Sequence, residues 1–421
     1  MTDNANRLLN VGLRLVTLGA RFLFIFFLAR YLAPDSVGYY GLFTAAVGYA
    51  MYCVGLDFHL YMTREIIAAS AERRGALIKN QILLSSVLYL GFIPLALVLL
   101  RWTGWPEWLL WWFIPILILE HVNQEIYRLL IALSRQTLAS LQLFIRQGSW
   151  AVAAVALMFF FPECRRLDLV MAFWAGAGIL AVAIGVLTLM QTRMGGWRMP
   201  VDRRWIVNGI RVSLAFLVAT LSLRGIQTID RYWVESLAGI EVAGAYVLFF
   251  GMVSALTVFL DAGVFAFAYP DLVRLAQNGA HDAMRRRMRQ MMLQILAASA
   301  LFGLASWLML PLLLDWIGHP LYRESLDLYS WLFAATVLNA VGLVPHYALY
   351  AHRCDRTIIL SHVSAILVFL LAGWLLAPGL GVAAVPAGLC IAFLVIFVWK
   401  GLAWRLLDRN KPQPVLPAVS P

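Results

Sequence analysis

Residues 8–32, LLNVGLRLVTLGARFLFIFFLARYL, decide what kind of molecule this is. The run is 25 residues long, and a helix needs about 20 apolar residues to cross a bilayer. Arg14 and Arg21 interrupt it. Seven residues apart, they share one helix face, two turns from each other. An arginine at mid-bilayer costs at least ~2.5 kcal/mol and faces a bundle interior or a water-filled cavity. Arg21 falls near the middle of this span, so the interior of the protein has a use for positive charge.

The rest of the chain extends the same pattern. Its 421 residues are 62% hydrophobic and 13% charged, with mean hydropathy +0.80. A soluble core of this size needs far less apolar surface, so the chain reads as an all-α polytopic membrane protein. Twelve transmembrane helices are expected, at 8–32, 38–57, 81–100, 108–129, 137–161, 168–190, 206–230, 242–265, 291–314, 326–349, 357–377 and 380–404. The longest polar stretches, near 191–205 and 270–290, are only linker-sized.

The formal charge of +11 would suggest nucleic-acid binding in a soluble protein. Here it reads as topological charge, and no nucleic-acid partner is expected. With a cytoplasmic N-terminus, 22 Lys and Arg fall on inner segments and 6 on outer ones, Lys400 being counted with the inner set. That bias places both termini inside. Thr63 to Gln81 reads as a basic amphipathic helix on the inner leaflet, with a counterpart around Arg285-Arg286-Arg287. The proline-rich segment 410–421 reads as a disordered cytoplasmic tail. The first apolar run is too long for a signal peptide and is kept as helix one. Cys53, Cys164, Cys354 and Cys390 have no paired spacing, so neither a metal site nor a disulfide framework is expected.

A duplication divides the chain. Gly38-Tyr39-Tyr40-Gly41-Leu42-Phe43 is echoed by Gly244-Ala245-Tyr246-Val247-Leu248-Phe249, and Asp57 and Asp261 end the two spans at similar distances. The offset of about 200 residues splits the twelve spans into six plus six, 1–195 and 196–409. An even number per half relates the halves by an axis along the membrane normal.

The spans carry polar residues at chosen depths. Arg146 lies nine residues into span five, flanked at helical spacing by Gln142 and Ser149. Span four holds Glu120, His121, Asn123, Gln124 and Glu125. Glu120 and Gln124 share a face with Tyr127, and His121 and Glu125 share another with Arg128. Span seven carries Arg211 and Arg224, the latter aligned with Gln227 and Arg231. Arg14 and Arg211 are near enough to the inner face to snorkel. Glu120 and Glu125 have a structural alternative too, as ion-pair partners of Arg21 or Arg146. Arg21 and Arg146 are the hardest to explain without a ligand.

Missing motifs narrow the function. There is no GxxxxGK[ST] phosphate loop, HExxH or GxSxG. No outer loop is long enough for a membrane glycosyltransferase, ligase or polymerase. Transport rather than catalysis is left.

The stretch LARYLAPDSVGYY, 28–40, resembles the "LAR-L-GP--FG-Y" signature of polysaccharide-biosynthesis flippases, the Wzx-like branch of the multidrug/oligosaccharidyl-lipid/polysaccharide exporter superfamily. Ala33 stands where glycine is usual before Pro34. Ile229-Asp230-Arg231-Tyr232, followed by Gly244-Ala245-Tyr246, is similar to that branch's "D+ … GxY" pattern. The resemblance implies two six-helix bundles around a central cavity that faces each side in turn. It implies an undecaprenyl-pyrophosphate-linked oligosaccharide as cargo, moved across the bacterial inner membrane for O-antigen, capsule or exopolysaccharide synthesis. Membrane lipids, polysaccharide polymerase and assembly proteins are the further partners it suggests.

Arginine suits such a headgroup, because it gives a pyrophosphate bidentate, permanently charged partners. Arg21 and Arg146, with Arg14, Arg211 and Arg224 above and below, are the expected binding ladder. Gln142, Asn123 and Gln124 are expected to meet sugar hydroxyls, and Glu120, Glu125 and Asp57 to couple entry of Na⁺ or H⁺. No cofactor is expected. Two other readings remain open here: an ion-coupled multidrug antiporter of the same fold, and a scaffold that recruits glycan synthases.

Overall fold

The structure, a computed structural model, describes residues 2–192 and 194–409. The tail expected from Asn410 onward lies outside the described residues. Among those described, all regular structure is helical. The α-helices are α1 Thr2–Tyr31, α2 Pro34–Gly55, α3 His59–Ala68, α4 Ala71–Trp102, α5 Glu107–Ala132, α6 Gln136–Phe144, α7 Trp150–Phe160, α8 Leu167–Gln191, α9 Arg203–Ala238, α10 Ile240–Leu260, α11 Ala266–Gln277, α12 His281–Ile317, α13 Pro320–Glu324, α14 Leu326–Ala351, α15 Asp355–Leu380 and α16 Ala384–Arg409. Each of the twelve expected spans falls mainly on one of these helices, except that 137–161 covers two joined by a π turn and 242–265 covers α10 and the π turn that follows it.

By length and apolarity alone, nine helices among the described residues are able to cross a membrane, or ten if the bent Arg203–Ala238 pair is one span. Two features separate that number from twelve. The polar run from Glu120 to Glu125 lowers the apolarity of α5. The tight Gly381–Ala383 turn joins α15 to α16, so that Asp355–Asp408 reads as one stretch of 54 residues. The protein is a multi-pass membrane protein.

Contacts divide the chain into two compact units, one running to Leu248 and including Trp316–Tyr322, the other formed by Phe249–Asp315 and the chain from Arg323. In the first unit, α2 starts on Pro34, whose missing N–H is one of the unpaired groups of any first turn. It ends at Leu56 and Asp57, both at φ 50, a left-handed conformation that costs a non-glycine residue ~1–2 kcal/mol.

The stretch after this break corrects one expectation. Residues 63–81 do not form a single interfacial helix. Ala69 and Ser70 are extended (ψ 142 and 155) and cut it in two. On one side, α3 buries Met62 and Ile66 in a cluster with Phe58, Leu77, Ile78, Leu129 and Trp205. On the other, Arg73, Arg74 and Lys79 fall on the first turns of α4. Lys79 Nζ donates to the Trp197 carbonyl at 2.9 Å and to the Met199 carbonyl. Gly75 N donates to Gly195 O (2.8 Å) and Gly195 N to Ala71 O (2.9 Å), which straps the linker before α9 to the start of α4.

The second unit also departs from the expected interfacial helix, in the opposite manner. Arg285, Arg286 and Arg287 belong to the continuous α12. Arg285 pairs with Asp408 at 3.0 Å, and Arg287 with Asp271 at 3.2 Å. These charges tie α12 to α16 and α11.

Lipid tails are as apolar as leucine, so helices in a membrane associate through small residues and interhelical hydrogen bonds. The N-terminal turns of α2 and α10 are such a case. A Cβ built on Gly38 would meet the Ile240 carbonyl, one on Gly41 the Val247 side chain, and one on Gly244 the Pro34 carbonyl. The two segments matched by the duplication thus lie against each other. Two π turns complete the architecture, Ile145–Ser149 between α6 and α7 and Asp261–Phe265 between α10 and α11. Such turns recur at functional sites.

Candidate functional site

A polar seam joins α1 to the helix carrying the first π turn. Asn10 Nδ2 donates to Thr137 Oγ1 (3.4 Å), Arg14 Nε to Ser140 Oγ (3.4 Å) and Arg21 Nη1 to Gln147 Oε1 (2.9 Å). The spacing along both helices advances together, as in a parallel pair. Arg14 and Arg21 are exposed, and their hydrogen-bond partners are neutral. Among the described residues neither makes an ion pair. Tyr40 lies within electrostatic reach of Arg21, Glu120 and Arg231.

Arg146 has a different setting. It lies in the π turn, 4% exposed, with Nε 2.9 Å and Nη2 2.5 Å from Glu120 Oε2. Its Nη2 reaches Gln124 Oε1 at 3.4 Å. Trp174 Nε1 donates to the other Glu120 oxygen at 2.8 Å, and Trp174 stacks on Trp150 with centroids 5.5 Å apart. The charge is compensated and enclosed by indole rings. Of the two partners weighed for Glu120, the structure pairs it with Arg146.

Gln142 is fully buried and donates to Asn123 O (3.1 Å) and Oδ1 (2.8 Å), while Asn123 Nδ2 donates to Gly178 O (2.9 Å). These amides join α5, α6 and α8.

The other face of α5 opens on a cavity of about 700 Å³ lined by residues of α4, α5 and α8 and by Met194 and Trp197. Glu125 on its wall accepts from Gln81 (2.5 Å) and Arg128 (2.5 Å), and His121 Nδ1 meets the Tyr89 hydroxyl at 2.5 Å. Glu120 and Glu125 thus serve separate surroundings, as their two faces require. Asp57 is buried at the break after α2, 4.0 Å from His59. Burial and the Arg128 guanidinium hold the His59 imidazole below its ordinary range, so Asp57 faces a neutral ring at pH 7.

Arg211 and Arg224 are exposed on α9. Arg224 donates to Gln227 at 3.2 Å and lies 5.5 Å from the Tyr52 ring centroid. Arg231, aligned with them in sequence, donates instead to Gly41 O at 3.3 Å.

The Asp-Arg … Gly-x-Tyr pattern therefore has a structural role. Asp230, fully buried, accepts from Arg231 N and from the Tyr246 hydroxyl, both at 2.8 Å. It latches α9 to α10. Tyr246→Phe is expected to destabilise the protein by about 1–3 kcal/mol, the cost of removing a donor from a buried acceptor. Thermal unfolding in detergent tests this, and an unchanged midpoint refutes the latch.

Sequence reasoning missed one cluster. Lys400, counted with the inner-loop charges, is 2% exposed, with its ammonium between His346 and His362. Its place inside the apolar run IAFLVIFVWKGLAW was the available signal.

Residues 5–276 match the model of a family described as "Polysaccharide biosynthesis protein". Among solved structures, an inward-facing multidrug resistance MATE family transporter of the MOP superfamily superposes with TM-score 0.76 at 13% identity, over 94% of this chain and 96% of that one. The lipid II flippase MurJ, in an inward closed conformation, gives 0.73 at 10% identity, over 95% and 89%. A MOP superfamily transporter from Pyrococcus furiosus, described by a binding pocket of reverse polarity, gives 0.60 at 14%, over 96% and 94%. At these identities the likeness is one of fold. No curated protein matches the chain.

Proposed function

Because this chain belongs to the polysaccharide biosynthesis protein family, we propose that it is a flippase for a polyprenyl-pyrophosphate-linked oligosaccharide. It carries the lipid across the bacterial inner membrane by alternating access and supplies O-antigen, capsule or exopolysaccharide synthesis. The six-plus-six division at 195/196, two bundles about a central cavity and cytoplasmic termini belong to the same reading.

The observation that carries it is the α1 seam. Arg14 and Arg21 are exposed at membrane depth on neutral partners. A buried or membrane cation held this way is left for an anion to satisfy, and a pyrophosphate supplies several oxygens for bidentate contacts. Arg211 and Arg224, also exposed, add two cations on α9 to this reading. Arg146 belongs to the same reading as a compensated charge, held by Glu120. The lipid II flippase of the same fold has a related class of cargo.

One observation favours a cation-exporting antiporter. Leaving aside Asp168 and Asp327 at the first turns of their helices, Asp261 is the exposed carboxylate of the expected spans, whereas Asp57, Glu120, Glu125 and Asp230 are wholly or partly buried. Complementation separates the two readings. A strain lacking its own flippase receives the gene as wild type, Arg14→Ala or Arg21→Ala, at matched protein levels. Wild type is expected to restore surface glycan. Each variant is expected to lose roughly 10- to 100-fold in export and accumulate the lipid-linked precursor, since one charge-assisted hydrogen bond is worth ~1.5–3 kcal/mol. Normal export by both variants would place the anion elsewhere. Failure of wild type in a matched host, with resistance to cationic dyes abolished by Asp261→Asn, would establish the antiporter.

A further inference from the structure

We propose that Lys400, His346 and His362 form a site for one exchangeable proton within the second unit, and that the proton gradient acts on the carrier there. The coupling half of this proposal rests on the transport reading above; the binding half does not.

The geometry is specific. Lys400 Nζ, on α16, lies 3.1 Å from His346 Nδ1 on α14 and 3.0 Å from His362 Nε2 on α15. The two imidazoles are stacked, centroids 5.9 Å apart and planes 9° from parallel. His346 continues the stack onto Tyr350, at 6.4 Å, and meets Tyr347 edge-on at 5.6 Å. Pro345 interrupts the hydrogen bonding of α14 beside His346.

The charge inventory is equally specific. The elements packed on α16 here are α14 and α15. They present His346, Tyr347 and Tyr350 from one and His362 from the other. Asp261 acts on Tyr347 of this group. The acid near the end of α16, Asp408, pairs with Arg285 and His281. Among the described residues, none forms an ion pair with Lys400. Arg146 in the first unit has its glutamate; Lys400 has two rings that are bases themselves.

Such a set tolerates either proton count. As an ammonium, Lys400 has three N–H donors, two of them taken by the imidazole nitrogens. As an amine it has two, and both remain taken. Releasing the proton breaks no hydrogen bond and removes a buried, unpaired charge, which is expensive to keep in an apolar interior. Arginine does not do this, because it stays charged. Of the 33 Lys and Arg in this chain three are lysines, and one of them is the buried cation of this cluster.

The proton step is balanced simply. A proton from one side of the membrane adds to the Lys400 amine, directly or through an imidazole nitrogen, and leaves as H⁺ to the other side. No other bond changes.

The small number of lysines makes the test direct. Full-length protein labelled with ¹⁵N at the lysine side chains is placed in nanodiscs, and the Nζ signals are followed between about pH 5 and 9. Lys400→Arg identifies the Lys400 signal by its loss. The expected result is a Lys400 signal that moves from ammonium to amine in this range while Lys79, held by backbone carbonyls, does not. A Lys400 ammonium throughout would overturn the proposal, leaving a fixed structural charge.

Coupling is read in proteoliposomes with polyprenyl-pyrophosphate-linked oligosaccharide and an imposed pH gradient. Wild type is expected to flip faster with the gradient. Lys400→Arg and His362→Gln, each shown to elute and melt as folded protein, are expected to lose that stimulation while keeping slow flipping without a gradient. Equal stimulation in both variants overturns the coupling. A titrating Lys400 in a protein that flips nothing keeps the proton site and refutes the flippase reading instead.

Discussion

Replacing Glu120 by alanine is expected to cost the protein about 3–5 kcal/mol, the penalty for leaving a buried charge without its partner. Arg146 is 4% exposed. Glu120 answers it with one oxygen at 2.5–2.9 Å and gives the other to Trp174 at 2.8 Å. Glu120→Ala therefore strands a guanidinium and an indole N–H together. Folded domains are commonly stable by only ~5–15 kcal/mol, so most of the variant is expected in aggregates on size exclusion.

The double variant Glu120→Leu/Arg146→Met is the informative one. It removes both charges and keeps the volume, a change that is often neutral or stabilising at buried pairs. It is expected to recover most of the lost stability, short by the ~1–3 kcal/mol that the unpaired Trp174 N–H costs. A Glu120→Ala protein as stable as wild type would show that the pair is not closed. If the double variant folds and still exports, the pair is a packing device; if it folds and does not export, its charge is used in the cycle.

Much of this arrangement is legible in the sequence, and the exceptions share a physical cause. The twelve spans follow from apolar runs bounded by turns, because a bilayer imposes length and apolarity on every crossing. The division of α5 into two faces follows from helical spacing: Glu120 with Gln124 meets Arg146, and His121 with Glu125 lines the separate cavity. Spacing does not say which partner faces a residue. Thus Arg21 and Arg146 looked alike in depth and charge, yet one meets an amide and the other a carboxylate.

Gln142 and Asn123 looked suited to sugar hydroxyls but bond each other. The basic stretch 63–81 looked interfacial because composition does not show the extended Ala69-Ser70 break. Lys400 was assigned by its nearness to a helix end, where charge usually marks topology, and only the facing histidines 54 and 38 residues away show otherwise.

The second large effect is expected at Gly244. Alanine there places a Cβ against the Pro34 carbonyl oxygen, with Pro34 C at 3.0 Å and Gly38 N at 3.1 Å. All three are backbone atoms and cannot turn aside, so α2 and α10 must separate. Overpacking of this kind costs ~1–3 kcal/mol, and the separation strains bonds that depend on the position of α2. Arg231 donates to Gly41 O and the Tyr232 hydroxyl to Leu42 O, both at 3.3 Å, from α9. Gly244→Leu is expected to leave no folded protein. Gly48 gives an internal control on α2 itself, because a Cβ there has nothing within 4 Å. Gly48→Ala is expected to be neutral or to stabilise by ~0.5–1 kcal/mol through helix propensity. Thermal midpoints of Gly244→Ala and Gly48→Ala in one detergent decide the matter. Equal shifts would mean that the glycines of the Gly-x-Tyr pattern matter only as helix breakers. A fall confined to Gly244→Ala would mean that the pattern marks a place where two spans must touch backbone to backbone, with the Asp230–Tyr246 bond closing the latch beside it.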